Sequence, residues 1–185
     1  FYEYSTEGST TITAMGNDQY RESSASKSRS VRIDHNSAPV TLEGQLLSGN
    51  PVVFYDSDRS SGQKTVQFCV VVKNEGGGTV LSNEAGVTAP NSDEVRKYDE
   101  QGNKNEVDLT VESLGSTQIK AEGGSYGTSE EVTVTLVGGD QVRKCFDMQI
   151  ESLSSTAQTQ IGPINIQADY AYAEDTATEV TVNGR

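Results

Sequence analysis

The chain has 185 residues, 33% of them hydrophobic with no Trp, and a net charge of −13 from 27 acidic and 14 basic side chains. That length suits one β domain with a thin, Val-rich core, and an acidic excess spread along the whole chain argues against nucleic acid as a direct partner, because binding would release no counterions from phosphates. No run approaches the roughly 18 apolar residues of a membrane span, so membrane insertion is not expected.

The opening stretch FYEYSTEGSTT has neither a basic region nor an apolar run. Starting at Phe1 instead of Met, it reads as a chain released from a leader or numbered without its initiator methionine. A first strand is expected around Thr10–Ala14, followed by a polar, Ser-rich stretch from Gln19 to Ser30 that reads as an exposed loop or arm. Short strands are expected next at Ser30–Asp34, Val40–Leu46, Val52–Tyr55, Thr65–Lys73 and Thr79–Leu81. One helix of about two turns is predicted over Asn91–Glu100, where Ser92 caps the start and Asp93 and Glu94 complement the helix dipole. Strict alternation then takes over. Val107, Leu109 and Val111 share a face; so do Val132, Val134 and Leu136, then Val142, Phe146, Met148 and Ile150, and finally Ile164, Ile166, Ala168, Tyr170 and Tyr172. Gln118–Ala121 and Glu179–Val182 complete the set.

Period two over five to nine residues marks strands with one face in the core and one in water. Gly-rich turns separate them, at 48–51, 56–62, 74–78, 122–125 and 138–140. The fold class expected is all-β: an antiparallel β sandwich, a single jelly roll with at most one short helix, spanning 1–185 with polar arms at both ends.

Candidate chemistry is sparse. His35, the only histidine, lies beside Asp34 and near Ser37, but adjacent strand residues point in opposite directions and cannot converge as a catalytic set. In DSDRSSG, residues 56–62, Asp56, Asp58 and Ser60 have the oxygen spacing of a calcium loop, yet the sixth and twelfth positions hold Ser61 and Gln67 instead of Gly and Glu. A hairpin turn is the expected reading there. The glycine clusters at 76–78 and 123–124 lack the Lys-Ser/Thr of a phosphate cradle, and Glu130 and Glu131 fall on opposite faces of one strand. The chain therefore reads as non-enzymatic, with no cofactor and no metal.

The two cysteines say more. Cys69 is out of step with the face formed by Val66, Phe68, Val70 and Val72, and Cys145 is out of step with Phe146, Met148 and Ile150. Both fall on the polar side of their strands, which favours a disulfide over two buried free thiols, with an intermolecular bond as the rival.

Length, acidity and the unbroken series of short strands resemble the smaller major capsid protein of haloarchaeal icosahedral viruses with an internal membrane. That resemblance implies a single upright jelly roll, a place in the virion capsid, and capsomers formed by homo- and hetero-oligomerisation with a larger related coat protein. The acid excess, joined to abundant Ser, Thr and Gly, fits a salt-loving source. Two other functions are compatible with the sequence. One is a secreted filament or surface subunit assembled by N-terminal strand donation. The other is a carbohydrate-binding module using Tyr2, Tyr4, Tyr170 and Tyr172.

Overall fold

A computed structural model describes residues 2–82 and 104–174. In chain order the elements are β1 (Tyr2–Gly16), α1 (Asn17–Glu22), β2 (Ser28–Val31), β3 (Asp34–His35), β4 (Val40–Asn50), β5 (Val52–Phe54), α2 (Asp56–Ser60), β6 (Gln63–Asn74), β7 (Thr79–Leu81), β8 (Glu106–Ser113), β9 (Gln118–Lys120), β10 (Ser129–Thr135), β11 (Gln141–Glu151) and β12 (Gln158–Ala173). With 64% strand and 7% helix the protein is all-β, and two sheets pack as a jelly-roll-like sandwich. Sheet A runs β10-β8-β12-β1-β3, with β5 and β7 also pairing to β1 and β12; sheet B runs β2-β4-β6-β11-β9.

The alternating residues form the core. From sheet A, Ile12, Leu109, Val111, Ile164, Ile166 and Tyr170 point inward, and from sheet B Leu42, Leu46, Phe68, Val70, Phe146 and Met148 meet them. Burying a side chain of this size contributes roughly 1.5–3 kcal/mol, so the alternation alone fixes which face of each strand is inside.

The first strand differs from expectation. β1 begins at Tyr2 and pairs with β12 over its whole length, from Tyr2 opposite Tyr172 to Met15 opposite Gln158, so the N-terminal residues are part of the sheet and not a polar arm. Its inward face is polar enough to hide the strand pattern. Thr6 and Thr10 are buried, and each hydroxyl donates to a backbone carbonyl outside the strand, Val40 at 2.8 Å and Arg32 at 2.7 Å. A buried hydroxyl with a partner is tolerated where an unpaired one would cost about 1–3 kcal/mol.

The helices also differ. Two short helices occur among the described residues: α1 overlaps the start of the stretch Gln19–Ser30 expected to be a loop or arm, and α2 occupies 56–60 of the expected hairpin turn at 56–62. The hairpin reading fails because β5 pairs with β1 in sheet A whereas β6 belongs to sheet B, so this segment crosses between sheets. The predicted helix at 91–100 and the predicted strand at 179–182 lie outside the described residues.

Candidate functional site

Asp34 and His35 make contacts close by in the chain. Asp34 is ion-paired to Arg32 at 2.7 Å, and His35 places Nδ1 2.8 Å from the carbonyl of Asn36. Register puts Asp34 opposite Ser9 and His35 opposite Gly8, so the two side chains leave the strand on opposite sides.

The acidic segment 56–60 turns its oxygens toward its own cations. Asp56 pairs with Arg59, and Ser60 Oγ donates to the carbonyl of Ser57 at 2.8 Å. Asp58 Oδ2 accepts from Lys64 Nζ at 2.6 Å and from the Tyr55 backbone at 2.9 Å. Burial works against the charged form of Asp58, but these bonds and the Lys64 charge outweigh it and hold the carboxyl below its ordinary range. Lys64 also donates to the Val53 carbonyl at 2.9 Å and lies over the rings of Phe54 and Tyr55. The segment is a clamp that fixes α2 to the start of β6. Among the described residues no group of three or more His, Cys, Asp and Glu converges to hold a metal ion.

The tyrosines are packed, not displayed. Tyr170 and Tyr172 are buried, Tyr4 stacks on Tyr170 with ring centres 5.8 Å apart, and of these four tyrosines Tyr2 alone is largely exposed. Tyr170 OH takes the Val40 N–H at 3.1 Å and lies 3.3 Å from Thr6 Oγ1; burial of its phenol raises its pKa despite those bonds. The glycines at 76–78 cap this cluster. A Cβ on Gly76 would collide with the Tyr172 hydroxyl, and one on Gly78 would come within 2.7 Å of the same ring, while the Gly78 N–H donates to Tyr172 OH at 2.5 Å. The rings of Tyr4, Tyr170 and Tyr172 pack on one another.

Cys69 and Cys145 lie directly opposite each other on β6 and β11 and are joined by a disulfide, with Cα atoms 3.9 Å apart. The bond sits on the outward face of sheet B, midway along the pairing of β6 with β11.

What distinguishes the surface is how charge is divided between the sheets. The strands of sheet A carry Glu3, Glu7, Asp34, Glu106, Asp108, Glu112, Glu130, Glu131 and Asp169, and not one Lys or Arg. The strands of sheet B carry Arg29, Lys64, Lys73, Lys120, Arg143 and Lys144 against only Glu43, Asp147 and Glu151. Asp108 and Asp169 face each other across the β8–β12 pairing, each supplied by a neutral donor: Thr133 Oγ1 at 2.7 Å for Asp108, and Gln167 Nε2 at 2.9 Å for Asp169. An open depression of about 470 Å³ on this face is walled by Glu7, Asp34, Glu112, Asn165 and Gln167. Sheet B has a larger groove of about 1090 Å³ beside the disulfide, with Val71 at its floor and Glu43, Lys73, Val137 and Arg143 around it. The segregation was there to find in the sequence, by summing charge strand by strand instead of over the chain.

No protein-family model, curated protein or solved structure matches this chain.

Proposed function

We propose that this chain is a non-enzymatic structural subunit of a self-assembling shell, of the kind formed by the coat proteins it resembles, working in concentrated salt beside a related coat protein. The observation that carries this reading is the division of charge between the two sheets. A face whose strands carry carboxylates and no Lys or Arg, with Arg32 paired to Asp34 at its edge, is strongly hydrated and repels its like, so it belongs in solvent. A face that carries both signs of charge can pair them across a contact and be covered at lower desolvation cost. A body with one face of each kind has an outside and a contact side, as a coat subunit requires. The Cys69–Cys145 bond stiffens the contact side.

A filament assembled by N-terminal strand donation is less well supported. β1 already pairs with β12 on one edge and with β3 and β5 on the other. Asn36 further ties the Ser5 carbonyl and the Glu7 N–H of that second edge. A donated strand needs a free segment, and this one is built into its own sheet.

Sedimentation and electron microscopy of the purified protein in molar salt test the proposal. Regular closed particles or capsomer-like rings are expected. A protein that remains monomeric at every salt and protein concentration contradicts it.

A further inference from the structure

We propose that the outward face of sheet B is a self-complementary interface that pairs two copies of this chain about a two-fold axis lying along the row of the Cys69–Cys145 bond. This inference rests on the subunit reading above and adds to it a specific contact.

On β11 the outward side chains next to Cys145 are Arg143 on one side and Asp147 on the other, each two residues away. A two-fold axis through the disulfide row, between two copies stacked face to face, reverses the strand direction and exchanges these positions. Arg143 of each copy then meets Asp147 of the other, and Gln141 meets Gln149. Two residues along a strand is only about 7 Å from the axis. The roughly 30° crossing of stacked twisted sheets therefore shifts the partners by about 3–4 Å, well within reach of an arginine.

Both charges are free to serve. Lys73 is already bonded to Glu43 at 2.5 Å, whereas neither Arg143 nor Asp147 has an ion-pair partner within 4.0 Å among the described residues. Lys120, the cation in register with Asp147, is directed over the ring of Tyr126, 4.6 Å from its centre. The remaining outward positions favour a contact with an identical surface. Gln45, Gln67, Gln141 and Gln149 are neutral amides, each able to donate and accept, so each is complementary to another glutamine.

The same axis brings an exposed apolar side chain into the contact. Leu47, 38% exposed, lies two residues beyond Gln45 on β4, and the axis carries it to Glu43 at the edge of the other copy's groove, one strand away from Val71. The face spanned by β4, β6 and β11, strands of 11, 12 and 11 residues, covers about 550 Å² per copy from strand length and spacing. About 1,100 Å² in total clears the roughly 1,000 Å² that a specific interface needs. Sheet A is poorly suited to the equivalent contact, since its strands would bring carboxylates against carboxylates with only Arg32, already paired to Asp34, beside them.

Charge reversal tests the pairing. The self-association constant is measured in 1 M salt by sedimentation equilibrium for the unaltered chain, Arg143→Asp, Asp147→Arg and the double variant, with melting curves as a check on folding. Each single reversal is expected to weaken association roughly ten- to a hundred-fold. The double variant is expected to regain most of it. Equimolar Arg143→Asp and Asp147→Arg, each impaired alone, are expected to associate when mixed, because each then meets the opposite charge twice. Single reversals that associate as the unaltered chain does overturn this interface and leave the subunit reading standing. Reversals that abolish association without rescue by the double variant or by mixing show that a different partner covers this face, and also overturn it. An unaltered chain that never associates overturns both.

Discussion

Sheets A and B share one core but are stabilised differently and face water differently. Sheet B packs Phe68, Val70, Phe146 and Met148 inward and is stapled covalently between β6 and β11. Sheet A buries Thr6, Thr10 and Tyr170, and relies on hydrogen bonds to carbonyls and an N–H of segments that adjoin it. Outside, the strands of sheet B mix both signs of charge while those of sheet A carry carboxylates and no Lys or Arg. The difference teaches that alternation dictates only which residues go inside. The outward half of each strand is left to other demands, and here the two sheets meet different ones.

The comparison can be broken or sharpened by substitution, beginning with the staple. Replacing Cys69 and Cys145 together by Ala releases a loop of 76 residues' separation, and the chain-entropy argument gives a loss of about 4 kcal/mol. Denaturant unfolding of the reduced and substituted proteins is expected to agree on that figure. A loss near zero would mean the staple serves something other than the stability of sheet B.

Lys64→Met is the next largest. It leaves Asp58 a partly buried charge without its cation, and a loss of about 2 kcal/mol at neutral pH is expected. The folded pKa of Asp58 lies below its ordinary value, so its stabilisation is fully present above about pH 4 and disappears as pH falls through the folded value. In an acid titration of stability the substituted protein should lose that part of the slope.

In sheet A, Tyr170→Phe removes the acceptor of the Val40 N–H and the neighbour of Thr6, and about 1–2 kcal/mol of destabilisation is expected from thermal melts. The raised pKa of Tyr170 has the opposite pH sense. Its contribution is present below the ordinary tyrosine value of about 10 and is lost as pH rises through the folded value. The Phe variant should therefore be flatter in alkali than the unaltered chain.

The smallest effect is also the one most particular to sheet A. Asp169→Asn removes one of two carboxylates facing each other across β8 and β12, and should stabilise the fold by about 0.5 kcal/mol at low salt, fading toward zero at 1 M. Destabilisation at low salt would show that the acidic face is held by contacts that charge alone does not describe.

Much of this was legible in the sequence. β8, β10, β11 and β12 could be read from strict alternation, and the two cysteines from falling one residue out of step with their apolar neighbours. The first half of β1 was not, because Thr6, Gly8 and Thr10 stand where Val or Ile would announce a strand, and the bonds that make them acceptable come from residues more than 20 positions away. The two helices were missed for a related reason. α1 and α2 are six and five residues long with no buried residue in either, so no apolar periodicity reveals them. α2 is fixed instead by Lys64, reaching back from β6.

The proposed assembly of this charge-divided body depends on salt that screens its acidic face. The screening length grows from about 3 Å at 1 M to about 30 Å at 0.01 M, and each copy carries a net charge of −13. Light scattering recorded together with melting temperature over that salt series tests it directly. The expected result is loss of particles first, then a falling melting temperature as salt is withdrawn further. Particles that stay intact with a flat melting temperature from molar to millimolar salt would contradict it.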